Sequence, residues 1–133
     1  MHPVLEKWHE YYEKRDLSIL NEILAEDATF YSPVVHTPQR GKMITSIYLA
    51  SAFEVFGGQE EEHSFKYVHE MVSGNHIHLE FETEIDGIHI NGIDMIEVND
   101  EGKIINFKVM IRPLQGINKI HQKMGEMLKK FKG

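Results

Sequence analysis

The chain has 133 residues, which fits one domain, and its 41% hydrophobic and 26% charged residues are ordinary for a soluble globular protein. A formal net charge of -7 disfavours nucleic acid and anionic membranes as partners, because both repel a negative surface. The absence of cysteine excludes disulfides and thiolate metal sites. No apolar run approaches the roughly 18 residues of a membrane span. The N-terminus lacks the apolar core of a signal peptide, so we expect a cytoplasmic protein.

Three helices are predicted in the first half of the chain. The first begins near Pro3, a residue that suits the first turn of a helix, and the second is capped by Asp16. A short strand is expected over 28–31. Apolar residues at helical spacing then predict a third helix from about 41 to 56, ended by the glycine pair at 57–58.

After the third helix the apolar period changes to two, which indicates strands. Two-residue turns at 74–75 and 86–87 predict hairpins, and a four-residue loop at 99–102 is expected to join the last pair of strands. A final helix is predicted from about 113 to 131. Helices followed by a run of hairpins indicate a single α+β domain, residues 1–133, with an antiparallel sheet.

One face of the predicted sheet is apolar, and in its central strands a single charged residue, Asp94, interrupts it. The register places Asp94 between Leu79 and Phe107, which would contact a ligand bound there. A carboxylate in an apolar wall is costly unless it is paired or protonated, and burial raises its pKa toward the range of a general acid or base. Asp94 therefore either serves a pocket or pairs with a buried Lys, Arg, His or Tyr. Glu70, in the same row on the outermost strand, either flanks a substrate or is solvated.

Further candidate site residues come from the segments that should close over this face. Tyr31, His36 and Tyr48 could donate to a substrate oxygen, while Trp8 and Tyr12 could line an apolar wall. Taken singly, each side chain could also be core packing or loop surface. As a group they predict a pocket with an apolar body and a few polar tips.

The opposite face mixes charged and large apolar residues. The apolar ones are Phe65, Tyr67, Met71, Ile93, Met95, Ile104 and Met110. Such a patch is typical of an interface, so we expect a homodimer through this outer sheet face. A solvent face with scattered apolar residues is the alternative. Four histidines share the face, but their spacing matches no metal motif and no metal is expected.

Two segments make the chain resemble the nuclear transport factor 2-like superfamily and, within it, the SnoaL-like proteins. One is Leu-Ala-Glu-Asp-Ala-Thr-Phe-Tyr-Ser-Pro at 24–33. The other is Gly-Ile-Asp-Met-Ile-Glu-Val at 92–98, closed by Gly-Lys-Ile at 102–104. The resemblance covers roughly residues 1–112. It implies a cone-shaped, curved antiparallel sheet packed against three N-terminal helices, with the C-terminal helix as an addition, and a dimer with a deep pocket.

Proteins of this superfamily include isomerases, dehydratases, polyketide cyclases, epoxide hydrolases and members without catalysis. The resemblance therefore implies a domain that binds a small apolar molecule, with cofactor-independent acid/base chemistry if it is an enzyme. A non-catalytic binding or assembly module is the alternative. Two family patterns are missing from the sequence: an acidic residue on the last strand, 106–112, and the Arg-x-Asp strand of the epoxide hydrolase type, where 78–80 reads His-Leu-Glu.

Overall fold

The computed structural model describes residues 2–56 and 65–132, with side chains to residue 129 apart from that of residue 56. In this part of the chain the helices are α1 (Pro3–Lys14), α2 (Leu17–Ile23), α3 (Lys42–Phe56) and α4 (Leu114–Lys132). The strands are β1 (Leu24–Tyr31), β2 (Gln39–Arg40), β3 (Lys66–Ser73), β4 (His76–Ile85), β5 (Ile88–Val98) and β6 (Ile104–Arg112). The predicted stop at 57–58 lies outside the described residues. No helix in the described ranges is both long and apolar enough to cross a membrane.

The first two helices begin where side chains satisfy their free amide groups. Oδ1 of Asp16 accepts a hydrogen bond from the backbone N–H of Ser18 at 2.9 Å, which confirms the predicted cap. Nδ1 of His2 accepts from the backbone N–H of Val4 at 3.1 Å, directly ahead of the helix that Pro3 opens. These caps fix where the chain enters α1 and α2.

The strands form one open, curved sheet in the order β2-β1-β6-β5-β4-β3. The pairs from β3 to β6 are antiparallel, as predicted. β1, however, runs parallel to β6 and lies between β6 and the edge strand β2. Both β3 and the short β2 are edge strands.

The turn between β4 and β5 sets the register that the sequence predicts, and Leu79 lies opposite Asp94. The register of the β3–β4 hairpin is as predicted from the turn to His69, but beyond a bulge there it is wrong by one residue, and Tyr67 rather than Val68 lies opposite Phe81. The third register is wrong by two residues, because the loop is one residue longer than predicted and a β-bulge adds one residue to β6. Val109 rather than Phe107 therefore lies opposite Asp94, and Phe107 pairs with Ile96. A shift of two keeps the same side chains on the inner face.

Bulges also turn inward three residues that the alternating pattern placed on the outer face. Ile104, next to the bulge in β6, is fully buried. A second bulge, between Tyr67 and His69, leaves His69 on the outer face and turns Tyr67 toward the core. Phe65 stacks on the ring of Phe81, whose side chain is buried in the core. The apolar part of the outer face is thus smaller than predicted.

The helix α4 extends the core beyond the sheet and the first three helices. It packs against α3 and against β5 and β6, and Ile120 and Met124 are buried in the core. Lys119 and Lys123 each lie near Oδ2 of Asp86, in the turn between β4 and β5, with N–O distances of 3.3 and 3.4 Å. The helix is therefore tied to the sheet at the β4–β5 end.

Candidate functional site

Asp94 lies in the middle of β5, and only 6% of its surface is exposed. Residues of β5 alternate between buried and half-buried, so Asp94 points into the core beside Ile90 and Ile96. Its inward direction follows from the two-residue period of the strand. A carboxyl group at this position is largely removed from water.

The polar partner of Asp94 is a tyrosine. The hydroxyl of Tyr67 donates a hydrogen bond to Oδ2 of Asp94 at 2.8 Å. That hydroxyl in turn accepts a hydrogen bond from Nε1 of Trp8 at 3.0 Å. Among the described residues no Lys, Arg or His pairs with Asp94, and no hydrogen bond joins its Oδ1.

Burial dominates the electrostatics of this pair. It raises the pKa of Asp94 from 3.8 to about 7, although the hydrogen bond from Tyr67 opposes the rise. The pKa of Tyr67 stands well above its usual value, because of its burial and then of the nearby Asp94 charge. Tyr67 is therefore a neutral donor at neutral pH, whereas Asp94 is present in both protonation states.

A cavity of about 30 Å³ adjoins the carboxyl group. Its walls are mainly aromatic, and they comprise Trp8, Leu49, Ala52, Phe53, Phe65, Tyr67, Phe81, Asp94, Phe107 and Val109. Pockets that bind drug-sized ligands occupy roughly 300–1,000 Å³. The hollow between sheet and helices is thus largely filled by rings, which have to move if a larger ligand is to enter.

Gly92 leaves room for Phe81, one of the rings that line this cavity. A side chain there would collide with the tip of the Phe81 ring, and its Cβ would lie 2.7 Å from Cγ2 of Ile111 and 2.8 Å from the Met110 carbonyl oxygen. Because Gly92 has no Cβ, the Phe81 ring can lie across β5 next to Asp94.

The rim between α1 and β3 carries a contact between His9 and Glu70 that the sequence did not indicate. Nε2 of His9 lies 2.6 Å from Oε2 of Glu70, and both side chains are about one-third exposed, at 30% and 33%. Nearby, the hydroxyl of Tyr12 donates to the carbonyl oxygen of Phe65 at 3.2 Å. Glu70 is accordingly engaged with α1, at the edge of the cavity rather than inside it.

Four of the predicted ligand-binding residues lie at or next to the cavity. Trp8 and Phe107 line it. Leu79 is fully buried and pairs with Asp94 across β4 and β5. Tyr12 lies beside the cavity wall, and burial raises the pKa of its hydroxyl.

The other three predicted residues are not brought to Asp94. Tyr48 stacks on Phe30 with 5.2 Å between ring centroids, and it does not line the cavity. Tyr31 faces the outer side, where the ammonium group of Lys108 lies 5.1 Å from its ring centroid. His36 is exposed and borders an outer groove beside β6.

Tyr67 is the residue that sequence reasoning missed. Strict alternation along β3 put it on the outer face, and no glycine or proline marks the bulge that turns it inward. One signal could have found it: a buried carboxyl group needs a hydrogen-bond donor, and only a few nearby side chains carry a hydroxyl group that could serve.

The described residues offer no obvious place for a metal ion. Nowhere in these ranges do three His, Asp or Glu side chains converge closely enough to hold one. The histidines that share the outer face are spread over three strands, β3, β4 and β5.

Comparisons with known proteins agree on the type of domain. The family model of the SnoaL-like domain matches residues 5–107. A crystal structure of a steroid delta-isomerase from Pseudomonas aeruginosa is 35% identical, with a TM-score of 0.88 over 96% of this chain and 90% of that one.

Two further structures are similar. A bacterial protein with a cystatin-like fold from Silicibacter pomeroyi is 28% identical, with a TM-score of 0.84 over 95% of this chain and 85% of that one. An NTF2-like protein from Mesorhizobium loti shares the fold at 15% identity, with a TM-score of 0.69 over 83% and 88% of the two chains. None of the curated protein sequences matches the chain.

Proposed function

The chain belongs to the SnoaL-like domain family, and on that premise we propose that it is a cofactor-independent isomerase that moves a proton within a small, uncharged, largely apolar molecule. The observation that carries the proposal is the buried carboxyl group of Asp94, whose pKa of about 7 suits both uptake and return of a proton at neutral pH. The similar structure from Pseudomonas aeruginosa, named a steroid delta-isomerase, supports isomerisation among the reactions of the family.

The lining of the cavity supports an uncharged substrate. Its walls are hydrocarbon and aromatic rings, with Asp94 and Tyr67 as the polar groups. An anionic substrate would meet the Asp94 carboxylate without a compensating cation, which is costly in an apolar site. A neutral carbonyl compound meets no such penalty, and its flat, conjugated form can stack on the aromatic walls.

In the proposed reaction the Asp94 carboxylate removes a proton from a carbon next to a carbonyl group. The electron pair of the broken C–H bond moves into the carbonyl group and forms an enolate. The protonated Asp94 then returns the proton to a different carbon of the conjugated system, which regenerates the carboxylate. Tyr67 keeps its hydrogen bond to Oδ2 throughout, so Oδ1 is the oxygen that exchanges the proton.

A non-catalytic binding or assembly module is the second candidate, and the small volume of the cavity favours it. About 30 Å³ does not admit a ring compound unless the aromatic walls rearrange. In that case the aromatic core would serve the fold, and the outer sheet face would carry the function.

The test is proton exchange in a panel of β,γ-unsaturated and simple enolisable ketones, followed by NMR in deuterated water. We expect exchange with wild-type protein and its loss in Asp94→Asn, while Glu70→Gln, which changes a carboxylate at the rim, keeps most of it. Equal exchange in wild-type protein and folded Asp94→Asn would overturn the role of Asp94. Ketone binding without exchange in the wild type would favour the binding module.

We also propose that the outer sheet face joins two copies of the chain around a two-fold axis. Met71 and Met110 on this face are 61% and 52% exposed, which is unusual for large apolar side chains on a monomer. Basic Arg112 lies on β6 and acidic Glu82 on β4, two strands away. A two-fold axis near β5 would place the basic side of one copy against the acidic side of the other.

A further inference from the structure

The indole N–H of Trp8 has no part in the proposed proton transfer, yet it is held in a defined position. Trp8 is 1% exposed, and its ring lies 5.0–5.6 Å from the rings of Tyr11, Phe53 and Phe107, measured between centroids. Its Nε1 is 3.0 Å from the hydroxyl oxygen of Tyr67. The packing of α1 thus holds the indole N–H in place as a hydrogen-bond donor to the Tyr67 hydroxyl.

The chemistry of the three groups gives this chain of hydrogen bonds a single direction. An indole N–H can only donate, whereas a phenol hydroxyl both accepts and donates its one hydrogen. Because Trp8 donates to Tyr67, the hydroxyl hydrogen of Tyr67 is turned away from the indole and toward Oδ2 of Asp94, 2.8 Å away.

We propose that Trp8 is a positioning residue for Asp94: its N–H fixes the Tyr67 hydroxyl as a donor to Oδ2, which leaves Oδ1 as the oxygen presented to a bound molecule. The assignment of Oδ1 rests on the proposed function, whereas the direction of the hydrogen bonds does not. Without the indole donor the hydroxyl can turn and donate to a ligand instead. Asp94 then loses a bond that stabilises its charged form.

Other titratable groups lie around this chain of hydrogen bonds, and their effects have to be distinguished from the titration of Asp94. On α1, the ring of Tyr12 is 5.7 Å and that of His9 is 6.2 Å from the Tyr67 ring. Glu70 pairs with His9 at the rim. The residues opposite Asp94 on β4 and β6 are apolar, so they add no charge.

The experiment follows the Asp94 carboxyl carbon by NMR as a function of pH, with the signal assigned by its loss in Asp94→Asn. In Trp8→Phe we expect the titration midpoint to rise by several tenths of a pH unit, since the hydrogen bond to the carboxylate is weakened. Tyr67→Phe should raise it at least as far. The double variant should match Tyr67→Phe alone, because Trp8 acts through Tyr67. Tyr12→Phe, which removes a neighbouring hydroxyl bonded to a backbone carbonyl, should leave the midpoint unchanged.

A second measurement needs no change at Trp8, which is the one tryptophan of the chain and gives one indole N–H signal. In wild-type protein that signal should shift with pH at the same midpoint as Asp94, and the shift should vanish in Asp94→Asn and in Tyr67→Phe. An indole signal that does not follow the Asp94 titration, or that shifts with pH to the same extent in Asp94→Asn, would overturn the proposal. So would an unchanged Asp94 midpoint in folded Trp8→Phe.

These titrations use no substrate, so they separate the two proposals. If no ketone exchanges its protons but the indole and Asp94 signals titrate together, Trp8 positions Asp94 and the proposed reaction is wrong. If ketones exchange in the wild type, but Trp8→Phe leaves the Asp94 midpoint unchanged and the wild-type indole signal does not follow the Asp94 titration, the reaction stands and the positioning role is wrong.

Discussion

The hydroxyl of Tyr67 lies 2.8 Å from Oδ2 of Asp94, although the two residues are 27 positions apart and sit on strands that do not pair. The contact reaches across β4, from the edge strand to the middle of the sheet. It gives the buried carboxyl group one hydrogen bond and no cation within the described residues. Desolvation of Asp94 is therefore only partly compensated, and ionisation of this group opposes folding.

The first prediction concerns stability and pH. The pKa of Asp94 is about 7 in the folded protein and about 4 in an unfolded chain, so the folded state binds this proton more tightly. The contribution of Asp94 to stability is therefore fully present below about pH 4 and is lost as the pH rises toward 7. The loss is on the order of 4 kcal/mol. Asp94→Asn, which cannot ionise, should be more stable than the wild type at pH 8.

The measurement is urea unfolding of the wild type and Asp94→Asn at pH 5 and pH 8. Glu97→Gln, on the same strand but facing outward with a hydrogen bond from Asn106, is the matched control and should follow the wild-type pH dependence. If the stability of Asp94→Asn falls between pH 5 and 8 as steeply as that of the wild type, Asp94 is not the group responsible.

The second prediction concerns Gly92. Gly92→Ala should destabilise the protein by about 1–3 kcal/mol, the usual cost of forcing extra atoms into a packed core. The reason is that the new Cβ meets the Phe81 ring and lies 2.8 Å from the Met110 carbonyl oxygen, which is backbone and cannot easily move. Gly125→Ala is the control, because nothing lies within 4 Å of its Cβ, and it should stabilise α4 by about 0.5–1 kcal/mol. Thermal unfolding that ranks the two variants the other way would contradict this account.

The parts of the fold that the sequence predicts correctly are those marked by local signals such as turns and helix caps. The turns at 74–75 and 86–87 carry glycine with positive φ, and their type and length set the register that places Leu79 opposite Asp94. Asp16 likewise predicts the start of α2, because its short side chain accepts a hydrogen bond from the backbone N–H of Ser18. Each of these signals lies within a few residues of the structure it determines.

Two bulges account for most of what could not be predicted. The extra residue in β3 and the one in β6 are not marked by glycine or proline, and each reverses the faces of the residues on one side of it, Phe65 and Tyr67 in the first case and Ile104 in the second. The sequence predicts Asp94 as an inward carboxyl group, but the alternating pattern places its partner Tyr67 on the wrong face. The pairing of His9 with Glu70 depends on how α1 docks against β3, and no spacing within one segment reveals that.

The third prediction concerns the attachment of α4. The pKa of Asp86 is lowered, first by its hydrogen bond with Lys119 and then by the charge of Lys123. The contacts of Asp86 with these two lysines therefore stabilise the fold above the pKa of Asp86 in the unfolded chain. This stabilisation is lost as the pH falls through the pKa of Asp86 in the folded protein. Asp86→Asn should lower the melting temperature at neutral pH and low salt. Asn tolerates the positive φ of 51 degrees at this turn, so the change isolates the charge.

The salt dependence provides the check on this prediction. In 1 M sodium chloride, where charges are screened within about 3 Å, the difference between Asp86→Asn and the wild type should largely disappear. Asp100→Asn, in the loop before β6, is the control and should leave the melting temperature unchanged. A difference that persists in high salt would mean that the turn itself, and not its charge, was damaged.

The fourth prediction concerns the proposed dimer. Met110 is 52% exposed on the outer face and lies opposite Ile93, near the centre of the proposed interface. Met110→Glu should weaken self-association at least tenfold, since it buries a charge without a partner there. Met43→Glu makes the same change on α3, where the side chain is 78% exposed, and should leave association unchanged. Sedimentation equilibrium over a hundredfold concentration range measures all three proteins. A wild type that stays monomeric throughout would contradict the dimer, and equal weakening by both variants would point to a general effect of charge rather than to this face.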